Sequence, residues 1–147
     1  MSDSVDGDDH GSEDAVLLRR AGIRPTRQRL AVLRTIRTGG RRHLTPESFH
    51  QELADAGLRL SLATVYNTLN HFAGHGLLRR VGFCDRTYFC THAAPHHHFY
   101  DEATGRLEDI DGPQPGVTLV PAPPEGMEVV GVEIIVRLRR TDPSGAE

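Results

Sequence analysis

Residues 61–72 read SLATVYNTLNHF. Leu62, Val65, Leu69 and Phe72 recur at spacings of three and four, the period of a helix with one apolar face. Ser61 stands where an N-cap belongs, because its hydroxyl can accept from the backbone of the first turn. The other face carries Ala63, Thr64, Tyr66, Asn67, Asn70 and His71, small and polar with one aromatic. Side chains this short let a helix lie close against whatever it reads.

Upstream, three shorter helices are expected. Residues 15–21 bring Val16, Leu17 and Leu18 and stop at Gly22, a residue suited to the left-handed position after a helix. Thr26 caps a second helix with Leu30, Leu33 and Ile36 on one side, ending at Gly39-Gly40. Thr45-Pro46-Glu47 opens a third, with proline in the first turn where no N–H is needed; Phe49 and Leu53 share a face and Gly57 closes it. Beyond Gly76 the pattern changes. Residues 77–83 and 87–90 are rich in strand formers, and Cys84-Asp85 is the turn between them. Helices followed by such a hairpin make a winged helix-turn-helix over 15–90, whose third helix crosses a duplex backbone and whose fourth enters the major groove.

Residues 91–95 read as a hinge into a smaller unit over 96–140. Within it, 97–100 and 106–110 can pair across a turn containing Gly105. Residues 111–127 hold Pro113, Pro115, Pro121, Pro123 and Pro124, which exclude long regular structure. Residues 128–139, EVVGVEIIVRLR, carry the strongest strand signal in the chain. Such a strand associates unless paired, which places it in a dimer interface.

The chain has 147 residues, 37% of them hydrophobic and 5% aromatic, with no Trp; this supports a modest core and favours burial in an oligomer. No apolar run approaches the roughly 18 residues of a membrane span, and the N-terminus is acidic, so membrane and secreted readings are disfavoured. Two cysteines, Cys84 and Cys90, make no disulfide framework and fit a reducing cytoplasm. The net charge of −3 conceals a strong asymmetry. Residues 1–14 carry six acids and no arginine and read as a disordered acidic tail, while 141–147 read as a flexible tail. Residues 15–80 carry twelve arginines against three acids, and 81–147 carry five arginines against eleven acids. A basic block of this kind is the footprint of a polyanion binder. Two plainer readings are a solvated arginine-rich surface and a protein-interaction surface, the latter marked by salt-insensitive association.

On the polyanion reading, Tyr66 and Thr64 can bond phosphates or touch a thymine methyl, and Asn67 can make the bidentate contact to adenine. Arg24, just ahead of a helix, can reach a narrow minor groove. Arg27, Arg29, Arg41 and Arg42 supply phosphate contacts that weaken with salt. Otherwise Tyr66 and Asn67 are ordinary exposed helix residues. His96-His97-His98 is the most unusual chemistry in the chain. On a strand His96 and His98 share a side and His97 faces the other. Imidazoles in this arrangement suit zinc, iron and related metals, or haem iron as axial ligands; the plain reading is a surface histidine run. His43, before the third helix, could complete a site or be a polar loop residue. Cys90 could ligate as thiolate or be buried and inert. A metalloenzyme reading lacks HExxH-type spacing, because the nearest carboxylate, Glu102, falls in a turn.

These residues resemble the ferric uptake regulator family, and most of all its iron response regulator branch. The stretches that carry the likeness are GIRPTRQR (22–29), HLTPESFHQEL (43–53), SLATVYNTLNHFAGHGLLR (61–79), TYF (87–89), HHHFYDEATGRLEDI (96–110) and VEIIVRLRR (132–140). The resemblance implies an α+β chain: an N-terminal winged helix-turn-helix followed by a small α/β dimerisation domain. It implies a homodimeric, cytoplasmic regulator of transcription, mainly a repressor, bound to AT-rich double-stranded DNA and governed by haem or a divalent transition metal (iron, manganese or zinc). Tyr66 matches the family's recognition-helix tyrosine and Arg24 its minor-groove reader; His43 and His97 match ligands of its interdomain metal site. Within the family the alternative is a sensor of zinc, manganese or peroxide. The chain departs from the pattern in lacking paired CxxC motifs around 100–105, so no cysteine-type structural zinc is expected. Cys90 stands where a carboxylate ligand usually follows TYF, Phe99 stands where others place a histidine, and no Cys-Pro haem dipeptide is present. Asp109 can supply an oxygen to the site or be a surface acid.

Overall fold

Ser12, Thr26, Thr45 and Ser61 each present a hydroxyl that accepts from the backbone N–H three residues on, and each starts a helix in the computed structural model of the chain. The structure describes residues 12–94 and 96–142. The helices are α1 (Glu13–Arg20), α2 (Arg27–Thr38), α3 (Pro46–Asp55) and α4 (Leu62–Gly74). At α3 the cap is reciprocal: the Ser48 hydroxyl also takes up the Thr45 backbone N–H. After α1, Gly22 adopts φ +82°, which glycine reaches without a Cβ clash. That conformation lets the Ile23 and Gly22 N–H groups donate to the Leu18 and Arg19 carbonyls at 2.8 and 3.0 Å. The same pair of bonds closes α3 at Gly57 and α4 at Gly76.

Three strands complete this unit: β1 (His43–Leu44), β2 (Arg79–Phe83) and β3 (Arg86–Cys90), antiparallel in the order β1-β3-β2. Val65, Leu69 and Phe72 of α4 pack with Phe49 and Leu53 of α3, Leu18, Leu33 and Ile36 upstream, and Phe89 of β3. Burial of each of these large side chains contributes about 1.5–3 kcal/mol. Leu62, expected in the stripe, is 43% exposed, since at the first turn it projects beyond the edge of this core.

The chain divides into two compact units after Ala94. In the second, β4 (His98–Asp101) lies between β5 (Arg106–Asp109), antiparallel to it, and β6 (Ile135–Leu138), parallel to it. Residues 111–134 carry no helix or strand, so the described residues of this unit are all-β with a long connection. The strand expected over 128–139 shrinks to Ile135–Leu138, because four-residue β4 offers a ladder to four residues only.

Other boundaries move for local reasons. α1 takes in Glu13 and Asp14, assigned to the acidic tail on sequence; Asp14 is buried and accepts from Arg37 of α2, with Arg34 at 3.7 Å. The remaining acidic tail (1–11), Pro95 of the hinge and residues 143–147 lie outside the described residues. No helix among the described residues is long and apolar enough to cross a membrane.

Candidate functional site

His98 opens β4 directly across from Asp109, the last residue of β5. Opposed residues of an antiparallel pair project on the same face, and His98 Nε2 lies 3.4 Å from Asp109 Oδ1. His96 brings its Nε2 to 2.7 Å from the same oxygen, with its ring centroid 4.4 Å from that of His98. His98 is 0% exposed and His96 7%. Two imidazoles and a carboxylate whose donor atoms lie within 4.8 Å of one another are a donor set for a single first-row transition ion. A carboxylate this enclosed needs a hydrogen-bond donor or a cation beside it, and His96 supplies the former.

His97 faces elsewhere. Its Nδ1 accepts from the Ile134 N–H at 2.9 Å, and its own backbone N–H donates to Gln114 Oε1 at 2.9 Å. The alternation expected along the run therefore appears: His96 and His98 converge with Asp109, while His97 turns to the Ile134 N–H.

In the first unit His43 is the Cα partner of Cys90 across β1 and β3, and Arg79 of β2 is the partner on Cys90's other side. His43, read as a loop residue or ligand, is thus a strand residue whose side chain shares a face with Cys90. Cys90 is 0% exposed. An imidazole beside a thiol is a soft half-set of ligands.

Elsewhere in this unit, Thr64, Asn67, Thr68 and His71 of α4 line a shallow pocket with Arg29 of α2. These four recur at spacings of three, one and three, so they form one outward helix face. Burial lowers the His71 pKa, and the neighbouring charges of His75 and Arg29 lower it further. Tyr66 is 36% exposed on the adjoining edge. Arg80 of β2 donates to its hydroxyl at 3.2 Å and to Asn70 Oδ1 at 3.1 Å. Arg24 and Arg27 are exposed, with the Arg24 carbonyl accepting from Arg29 Nη1 at 2.8 Å. Arg42 is different from the phosphate contact expected of it. It grips both oxygens of Glu52 at 2.6 and 2.9 Å and donates to the Thr35 carbonyl at 3.0 Å, so it braces α2 against α3.

The family model described as ferric uptake regulator matches residues 20–133. The chain belongs to the ferric uptake regulator family. It is a metal-responsive, DNA-binding regulator of transcription and not an enzyme. Among its relatives, the peroxide-responsive repressor of Staphylococcus epidermidis is 33% identical over 118 residues, 78% of this chain and 77% of that protein. The counterpart from Staphylococcus aureus strain Mu50 is 34% identical over 118 residues, covering 78% of each. The solved structure of the Pseudomonas aeruginosa ferric uptake regulator with manganese matches with a TM-score of 0.66 at 23% identity, over 89% of this chain and 100% of that one. The Vibrio cholerae ferric uptake regulator matches at 0.65 and 19% identity, over 87% of this chain and 100% of that one. These structures speak for the fold, a winged helix with a small dimerisation domain.

Within this ferric uptake regulator fold two features escaped sequence reasoning. One is the His43–Cys90 row, set by a two-residue strand too short to leave a periodic signal. The other is Arg80, whose alternation with half-buried Arg79 along β2 marks it as outward-facing but does not reveal Tyr66 as its partner.

Proposed function

We propose that this member of the ferric uptake regulator family is a cytoplasmic repressor that reads iron through His96, His98 and Asp109. It binds an AT-rich duplex as a homodimer, with Thr64, Tyr66 and Asn67 at base edges and phosphates and with Arg24 and Arg27 flanking them. The observation that carries the reading is the convergence of His96, His98 and Asp109 on one point in a buried setting. Mixed nitrogen and oxygen donors suit iron, manganese and zinc alike. The likeness to the iron response regulator branch favours iron among them. Haem fits this arrangement less well, because a porphyrin takes axial donors along one line, whereas these three surround a point.

The proposal includes His43 and Cys90, which the resemblance and the chemistry of their own row offer as metal ligands. A difference in operator affinity between the metal-loaded and metal-free protein is what makes it a switch. Coupling of about 1–3 kcal/mol is enough for a switch. The names of the staphylococcal relatives support a second reading, in which the same ion makes the protein responsive to peroxide.

The test is binding of Fe²⁺, Mn²⁺, Zn²⁺ and haem to the purified protein, read by metal analysis and visible absorption, followed by DNA binding before and after peroxide. One ion per chain with no shift of the haem band supports the iron reading. Loss of DNA binding on peroxide treatment moves the conclusion to the second reading. A haem complex abolished by replacing His96 and His98 with Ala contradicts the bare-ion assignment.

A further inference from the structure

We propose that Arg80, on the first strand of the wing, is a positioning residue that sets the sequence preference of the recognition helix by holding Tyr66. The inference rests on Tyr66 facing the duplex. Its ground is a fork that joins two elements. One guanidinium nitrogen of Arg80 donates to the Tyr66 hydroxyl at 3.2 Å and the other to Asn70 Oδ1 at 3.1 Å. Tyr66 and Asn70 are one helical turn apart on α4, so the planar guanidinium spans adjacent rungs of one helix edge. Its carbon also lies 6.0 Å from the Tyr66 ring centroid, within the range of cation–π attraction.

Two consequences follow from the direction of these bonds. The phenol oxygen accepts from Arg80, so its own proton is turned outward and the hydroxyl meets DNA as a donor. The acceptors it can reach are phosphate oxygens and the ring nitrogens and carbonyls of base edges. Second, an exposed tyrosine loses ring freedom on binding, and Arg80 removes that freedom beforehand, which narrows the set of base steps the ring accommodates. A lysine at position 80 keeps the charge but cannot donate in a plane to both Tyr66 and Asn70. Arg80 also carries N–H groups not used in the fork, so the charge contributes to backbone attraction whatever it does to preference. The two contributions separate in an experiment.

Full-length protein with added Mn²⁺ first selects its preferred duplex from a pool with a randomised centre. Affinities for that duplex and for one of unrelated sequence are then measured at two salt concentrations for wild type, Arg80→Ala, Arg80→Lys, Tyr66→Phe and the double variant Tyr66→Phe/Arg80→Ala, with thermal midpoints checking folding. We expect Arg80→Ala to lower the ratio of the two affinities by about tenfold, the scale of one lost base-reading contact. Arg80→Lys should restore the salt slope but not the ratio, and the double variant should lose no more preference than Arg80→Ala alone. Parallel weakening on both duplexes that Arg80→Lys fully rescues, or effects of Tyr66→Phe and Arg80→Ala that multiply, overturns the positioning role while leaving DNA binding intact. Failure of wild type to enrich any duplex overturns the DNA-facing assignment of Tyr66 and the inference with it.

Discussion

His96 and His98 differ from His97 in one respect that matters: which way a strand residue points. His97 spends its Nδ1 on the Ile134 N–H, while its two neighbours converge with Asp109. Replacing His98 or Asp109 with Ala should therefore lower metal affinity at least about tenfold, the size of effect seen when ligands or their supports are lost. His97→Ala should leave metal affinity nearly unchanged. Competition with a chelator under titrated Zn²⁺ measures both, and an equal loss in His97→Ala would return that residue to the ligand set. A second residue-scale prediction concerns His71. Its pKa is lowered in the free protein by burial, His75 and Arg29, so the imidazole stays neutral at pH values where an ordinary histidine is charged, and the folded unit resists its protonation. Stability attributable to this site is present above pH about 6.5 and is lost as pH falls through the lowered value. Phosphates beside the Thr64–His71 face reverse the preference, so the complex takes up a proton and DNA affinity rises as pH falls below about 6.5. His71→Gln should flatten that rise in a pH series of binding curves.

At the scale of elements, the turn joining β2 to β3 holds two non-glycine residues in the left-handed region, Cys84 at φ 51° and Asp85 at φ 60°. This is the geometry of a type I′ turn, for which Asn-Gly is the favoured pair. Cys84→Asn with Asp85→Gly should stabilise the wing by about 0.5–1 kcal/mol, read as a raised thermal midpoint with unchanged operator preference. The turn itself was legible in the sequence, as were all three caps read from Thr26, Thr45 and Ser61, because each depends on residues within a few positions of one another. The core face of α4 was legible for the same reason, apart from Leu62 at its end. What could not be read locally is what depends on a distant partner. β1 exists only because residues 43 and 44 meet β3. The bracing of Glu52 by Arg42 joins residues ten apart through a side chain whose charge suggested phosphate. The strong strand signal over 128–139 is met within the chain only at Ile135–Leu138, because pairing inside the unit is limited by the length of β4.

At the scale of the whole chain, the two units differ greatly in burial. The first encloses a continuous core. The second buries few apolar side chains, Leu107 and Ile110 among them, while Leu119 is 81% exposed, Met127 67% and Val130 93%. Apolar surface of that extent calls for a partner, and a second copy of the same unit is the partner that a dimeric regulator offers. Val130→Asp should therefore move the protein toward monomer in light scattering and weaken operator binding with it, since both half-sites must be held at once. On the function proposed above, an ion at His96, His98 and Asp109 governs the affinity of the α4 face for DNA. Fluorescence anisotropy with the selected duplex, titrated by wild type and by His98→Ala with and without Fe²⁺ under anaerobic conditions, tests it most directly. Iron should change the wild-type dissociation constant by about 5–150-fold and leave that of His98→Ala unmoved. Equal curves with and without iron in the wild type, or an undiminished response in the variant, would contradict it.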